Sequence, residues 1–228
     1  MGSKKSSPLH RLTGEINRPL FTLAAVSGLG FVVLALLVAV HHTPFFFDRP
    51  IANTIESVNF APLDPFHSFV SALGGNVGIG IGVAVILATF IVKREATLFV
   101  AFSAVYSLIY NGVEAVIKRP RPTGLPHPTP AISGYSFPSG HVAFFVWLGV
   151  LGMVLLARRL PRPWYITGWV VVAILVIAAA LSRVYVSAHW PSDVVGGLLV
   201  GVSWLALSLS LGRLTNPIFA SGHKSARN

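Results

Sequence analysis

Six apolar runs, at about residues 20–40, 69–92, 96–117, 142–157, 164–181 and 194–211, constrain this chain more than any other feature. A hydrocarbon layer about 30 Å thick is crossed by roughly 20 helical residues. Inside it every backbone amide must find its partner within the segment, which favours helices for runs of this length. With 54% hydrophobic and only 11% charged residues, the composition lies far from that of soluble domains. The expected fold is all-α, a polytopic membrane helix bundle with about six transmembrane helices. The expected organisation is a basic tail over 1–19, a six-span domain over 20–212 and a second basic tail over 213–228. The first run is too long for the apolar part of a cleaved signal and no A-x-A site follows, so it is read as a retained span. The absence of cysteine excludes disulfides, thiolate nucleophiles and zinc–sulfur sites.

The net charge of +10 would suggest nucleic acid in a soluble protein, but its distribution says otherwise. Six spans put both tails on one side. That side holds Lys4, Lys5, Arg11, Arg18, Lys93, Arg94, Arg158, Arg159, Arg162, Arg213, Lys224 and Arg227 against only Glu15 and Glu95. The other side holds Arg49, Lys118, Arg119, Arg121 and Arg183 against Asp48, Glu56, Asp64, Glu114 and Asp193. By the positive-inside rule the tails are cytoplasmic, so the charge is topological and no nucleic-acid partner is implied.

Between the spans, the pattern Ile51, Ile55, Val58 predicts a short amphipathic helix in 45–67 lying in the interface on its apolar face. Asp48 and Glu56 are then expected to be solvated. Trp190 and Tyr185 read as interface aromatics and Asn111 as a span–span hydrogen bond. Glycines 74, 75, 78, 80 and 82 read as close helix contacts. Gly197 and Gly201 suit either a dimer contact or, the favoured expectation, packing within the bundle; the oligomeric state is left open. The adjacent His41 and His42 point to different helix faces and make a poor metal site.

Three polar segments fall at span mouths on the extracytoplasmic side: 119–122, 138–141 and 182–193. An intramembrane or membrane-edge cluster of this kind is a functional site by default. Arg121 and Arg183 offer planar cations for a tetrahedral oxyanion. Ser139 and Gly140 sit where a helix begins, with free N–H groups, a hydroxyl and open backbone for an anion. His189 precedes another helix start, which favours its neutral, nucleophilic form. Asp193 lies four residues on and shares its helical face, suited to fixing the tautomer. His141 is then available to protonate a leaving oxygen. One acid among two arginines leaves the local charge positive, which argues against a divalent cation, so neither metal nor cofactor is expected.

Arg121-Pro122, then Pro138-Ser139-Gly140-His141, then Ser182-Arg183 with His189 and Asp193 at the following spacings, resemble the three-part signature of the type 2 phosphatidic acid phosphatase family. That family includes membrane lipid phosphatases and the soluble vanadium haloperoxidases. The resemblance implies that His189 is the nucleophile forming a phosphohistidine. It implies that Asp193 orients His189 and that His141 is the general acid and then the base for water. Arg121, Ser139, Gly140 and Arg183 are implied to hold the phosphoryl oxygens. One position departs: the family's first motif begins with Lys seven residues before the Arg-Pro, and Glu114 stands there. Lys118, one helical turn on, or Arg119 is expected to supply the missing cation, with Glu114 pairing to it.

The favoured function is hydrolysis of a lipid phosphate or diphosphate, with the tail kept in lipid. Candidates are phosphatidic acid, phosphatidylglycerophosphate, a lysolipid phosphate and a polyprenyl diphosphate. The alternative is a non-catalytic phospholipid-binding or lipid-moving protein that retains the phosphate cradle. A haloperoxidase is disfavoured by the spans.

Overall fold

The computed structural model describes residues 15–58, 64–74, 76–125, 134–156 and 159–220. The expected basic tail residues Lys4, Lys5, Arg11, Lys224 and Arg227, Arg158, and the middle of the proline-rich loop lie outside the described residues. All named elements are helices: α1 (Arg18–His41), α2 (Asp48–Glu56), α3 (Asp64–Gly74), α4 (Asn76–Val92), α5 (Arg94–Ala104), α6 (Tyr106–Ile117), α7 (Gly140–Leu156), α8 (Arg162–Tyr185), α9 (Pro191–Ser210) and α10 (Gly212–Ala220).

Four elements are long and apolar enough to cross a membrane: α1, the pair α5–α6 taken as one rod from Arg94 to Ile117, α8 and α9. The helices α3 and α4 are long and apolar enough only when taken together, and they meet at 57°, the geometry of a broken span or a re-entrant loop. A further apolar helix, α7, is shorter at 17 residues. The fold class therefore agrees with the structure, and the six expected crossings agree approximately: four helices meet the length, the bent α3–α4 pair makes up to five, and α7 is a shorter apolar helix. Exposed Leu29, Val33, Leu36 and Val40 on α1, and Ile166, Val170, Ile174 and Ile177 on α8, form outward apolar faces suited to lipid.

α9 is the central helix and packs against α1 and α7. Gly201 meets Ala143 and Val146 of α7, and a Cβ at this position would fall 3.3 Å from Ala143 Cα. Gly197 and Gly201 thus pack within the bundle, as close approach in lipid requires. The glycines of α4 do not all follow that rule: nothing lies within 4 Å of where a Cβ would stand on Gly80 or Gly82. Buried indoles find acceptors, Trp147 Nε1 on Ser103 Oγ at 2.9 Å and Trp204 Nε1 on the Phe102 carbonyl at 2.8 Å. Residues 213–220, expected to belong to the basic tail, continue as α10 from Gly212, and this helix buries Leu214 and Ile218.

Three other expectations are corrected. The short helix over 45–67 exists as α2, with Ile51 and, just beyond its end, Val58 exposed in keeping with an interfacial apolar face, but Asp48 and Glu56, expected to be solvated, turn inward with Ala52 and are buried. Its acids are buried because cations and hydroxyls wait for them below. Asn111 is exposed and donates to the Ser107 carbonyl of its own helix at 2.6 Å, and among the described residues it makes no hydrogen bond to a second span. Trp190 and Tyr185 are buried, the first in a small cluster with Ala52, Leu125 and Val184, the second stacked on His67 at 4.7 Å.

Candidate active site

The three polar segments converge at one end of the bundle. α6 stops at Lys118, whose φ of 53° makes a left-handed C-cap, and the following Arg-Pro-Arg-Pro cannot continue a helix. The chain returns through a cis Phe137–Pro138 peptide to Ser139, whose N–H donates to the Asp193 carbonyl of α9 at 3.0 Å. α7 then starts at Gly140. A side chain at Gly140 would strike the Tyr110 ring, 2.7 Å from its Cε2 and 2.9 Å from Cζ. The third segment is the turn from α8 to α9, in which the His189 and Ala188 N–H groups both fold back to the Arg183 carbonyl.

His189 is buried, and its Nδ1 lies 2.7 Å from the Ser136 carbonyl oxygen. A carbonyl only accepts, so Nδ1 carries the proton and Nε2 is left with the lone pair. Burial, and next the Arg121 charge, holds the imidazole well below its ordinary value, so it is neutral at physiological pH. The His141 ring stands 6.2 Å away, centroid to centroid, with Nε2 at 3.3 Å from the Ser71 carbonyl of α3. Arg121 donates to the Ala188 carbonyl at 2.8 Å. Arg183 is fully buried and donates through Nη2 to the His67 carbonyl at 3.1 Å and to Ser182 Oγ at 3.0 Å. Ser139 Oγ and Arg183 Nε are buried with no hydrogen-bond partner among the described residues. Buried polar atoms left unpaired beside two cations and two imidazoles form a place for a polyoxygen anion.

The structure therefore brings together His189, His141, Arg121, Arg183, Ser139 and Gly140. Asp193 is adjacent but differently employed. Its Oδ1 accepts from Arg119 Nη1 and its Oδ2 from the Trp190 N–H at 2.8 Å, which caps α9. The expectation that it orients the His189 ring is corrected: the ring's acceptor is the Ser136 carbonyl, because Asp193 is committed to the helix cap and to Arg119. It acts on His189 through the segments it anchors, the start of α9 and the stretch around Ser136.

The expectation for a replacement cation also changes. Arg119 is completely buried between Asp48, at 2.9 Å, and Asp193, with further bonds to Ser192 Oγ and the Thr43 carbonyl. Its charge is consumed by two carboxylates. Lys118 is exposed at the helix end, and among the described residues no ion pair joins it to Glu114. Glu114 instead accepts the Tyr135 N–H at 2.7 Å and lies near enough to Arg121 to favour its charged form. It holds the 134–136 segment, whose Ser136 carbonyl in turn holds His189.

Sequence reasoning missed Ser136, Asp48, Glu56, Arg119 as a hub, and His67, whose Nδ1 lies 2.9 Å from Ser182 Oγ. The available signal was the unusual concentration of acids on the site side. Four of them, Asp48, Glu56, Glu114 and Asp193, hold site segments.

A family model described as the PAP2 superfamily matches residues 96–216, just over half of the chain. An undecaprenyl-diphosphatase from Sulfolobus acidocaldarius is 29% identical over 177 residues, which are 75% of this chain and 81% of that protein. Among solved structures, a transmembrane PAP2-type phosphatidylglycerolphosphate phosphatase from Bacillus subtilis superposes with a TM-score of 0.67 at 20% identity, covering 90% of this chain and 98% of that one. LpxE from Aquifex aeolicus gives a TM-score of 0.57 at 19% identity over 72% of this chain and 96% of that one. With the matched stretch running through all three motif segments, the chain belongs to the PAP2 superfamily and is a multi-pass membrane phosphatase of it.

Proposed function

We propose that this protein hydrolyses the phosphate or diphosphate of a membrane lipid through a phosphohistidine on Nε2 of His189. The observation that carries the reading is the pair of unsatisfied buried donors, Ser139 Oγ and Arg183 Nε, beside Arg121 and the two imidazoles. Arg121, Arg183, Ser139 and the Gly140 backbone hold the phosphoryl oxygens. The Nε2 lone pair attacks phosphorus as the bond to the leaving oxygen breaks, and His141 gives that oxygen a proton. The oxygen of a water then attacks phosphorus as the P–Nε2 bond breaks, His141 takes the water's proton, and inorganic phosphate and the His189 imidazole are released. An apolar groove beside Gly140, lined by Ile79, Val83, Ile86, Tyr110, Phe144 and Trp147, suits the tail of an amphiphile.

The lysine and arginine asymmetry supports cytoplasmic termini and a site that opens on the extracytoplasmic face, within a catalytic domain spanning about 20–212. The relatives' names put an undecaprenyl diphosphate and a phosphatidylglycerolphosphate first among the substrates to test. The test is phosphate release in detergent, with a chelator present, from phosphatidic acid, phosphatidylglycerophosphate, a lysolipid phosphate and a polyprenyl diphosphate. At least one is expected to turn over, and His189→Ala is expected to abolish release. Binding of these lipids without release by the parent protein would overturn the enzyme reading in favour of a phospholipid-binding protein.

A further inference from the structure

The face of α2 that packs inward is its polar one. Asp48, Ala52 and Glu56 recur every fourth residue and are 0%, 0% and 3% exposed. Each meets the segment that carries His189. Glu56 Oε1 accepts from Ser187 Oγ at 3.0 Å. Asp48 accepts from the Ser192 N–H at 2.9 Å and from the Ser192 hydroxyl at 2.7 Å. Between them Ala52 packs in the cluster that contains Val184 and Trp190. The attachment points therefore lie on both sides of His189, two residues before it and three after.

Two further observations show that this segment needs holding. Ser187 has a φ of 53°, a left-handed conformation that a side-chain-bearing residue keeps only when its surroundings enforce it. The line of contacts from Asp48 also reaches the imidazole by a second route. Asp48 pairs with Arg119, the Arg119 carbonyl accepts the Ser136 N–H at 2.9 Å, and the Ser136 carbonyl takes His189 Nδ1. Burying two carboxylates is unfavourable unless their partners are fixed, whereas Ile51 and Val58 on the other face would have buried at no such penalty.

We infer that α2 is a positioning clamp for the nucleophile: Asp48 and Glu56 fix the 187–192 loop, so that Nε2 of His189 meets the phosphoryl group, although neither acid touches the substrate. The inference rests on the phosphatase reading of the site. It makes a helix outside the spans a determinant of turnover rather than of substrate affinity.

The test uses the full chain in detergent, with Asp48→Asn, Glu56→Gln, the double variant, and Ser187→Ala, read by steady-state phosphate release and by hydrogen exchange. The double variant is expected to lose about 10- to 100-fold in kcat. Its KM is expected to stay within about threefold, since only the nucleophile's approach is changed. Amide exchange over 186–190 is expected to rise while that of α7 stays as in the parent. Glu56→Gln and Ser187→Ala, also combined in one chain, are expected to act non-additively, as partners in one contact do. Unchanged exchange over 186–190 overturns the clamp, and so does raised exchange with kcat per folded protein held within about twofold. A parent protein that releases no phosphate sinks the phosphatase reading instead, and the exchange comparison still decides whether α2 holds the loop.

Discussion

Gly197→Ala separates the placement of the phosphate cradle from the stability of the bundle. A Cβ at Gly197 would overlap the Ser139 carbonyl oxygen and lie 3.1 Å from its carbonyl carbon and 3.2 Å from its Cβ. The obstacle is backbone, tied to α9 by the Ser139 N–H on the Asp193 carbonyl at 3.0 Å, so no rotamer change relieves it. Clearing the overlap requires α9 and the segment around Ser139 to part by roughly 1 Å. Overpacking of this kind costs about 1–3 kcal/mol of stability. A displacement of about 1 Å in a group that positions substrate lowers rate by roughly 10²-fold. Gly201→Ala is the matched control, one turn further along α9. Its Cβ would stand 3.2 Å from Val146 Cβ and 3.3 Å from Ala143 Cα, tight but away from the cradle. Phosphate release and thermal unfolding in detergent are measured on both. Gly201→Ala is expected to lose some stability with kcat/KM within about threefold of the parent, and Gly197→Ala to lose both. Equal kcat/KM in the two variants would refute the claim that backbone contact at Gly197 sets the position of Ser139.

Arg119→Met leaves Asp48 and Asp193 buried without their cation, so a loss of about 3–5 kcal/mol is expected in unfolding measurements. Arg121→Met, at a half-buried position, is expected to act mainly on KM; equal stability losses would show that Arg119 is no hub. Glu114→Lys restores the family's residue but removes the acceptor of the Tyr135 N–H, so kcat/KM is expected to fall about tenfold. A rise would mean that Glu114 only repels substrate. Because burial and Arg121 depress the His189 proton affinity, the nucleophile stays neutral below the ordinary imidazole value of 6.5, and the acid limb of kcat/KM is expected below that pH. The same sign applies to folding. The unfolded chain takes up the proton first as pH falls, so the contribution of this group to stability is lost below about 6.5. An acid limb centred at or above that value would contradict the buried, neutral imidazole.

The amino-acid sequence by itself determined the class of fold and the address of the site. Apolar run length is a local property, and hydrocarbon thickness converts it directly into helices and crossings. The motif residues His141, His189, Ser139, Gly140, Arg121 and Arg183 stand at span ends, so three sequence-distant segments were bound to meet once the spans packed. What those residues touch was not determined locally. Whether Asp193 bonds His189 or Arg119, and whether Arg119 faces substrate or two acids, depends on which partners arrive from α2 and from the 134–136 loop. The same holds for α2, whose Asp48 and Glu56 read as solvated acids beside an apolar face lying in the interface. Tertiary structure buried the acids, because a carboxylate against a guanidinium and serine donors is better satisfied than one left beside lipid, whereas exposed isoleucine and valine lose nothing there.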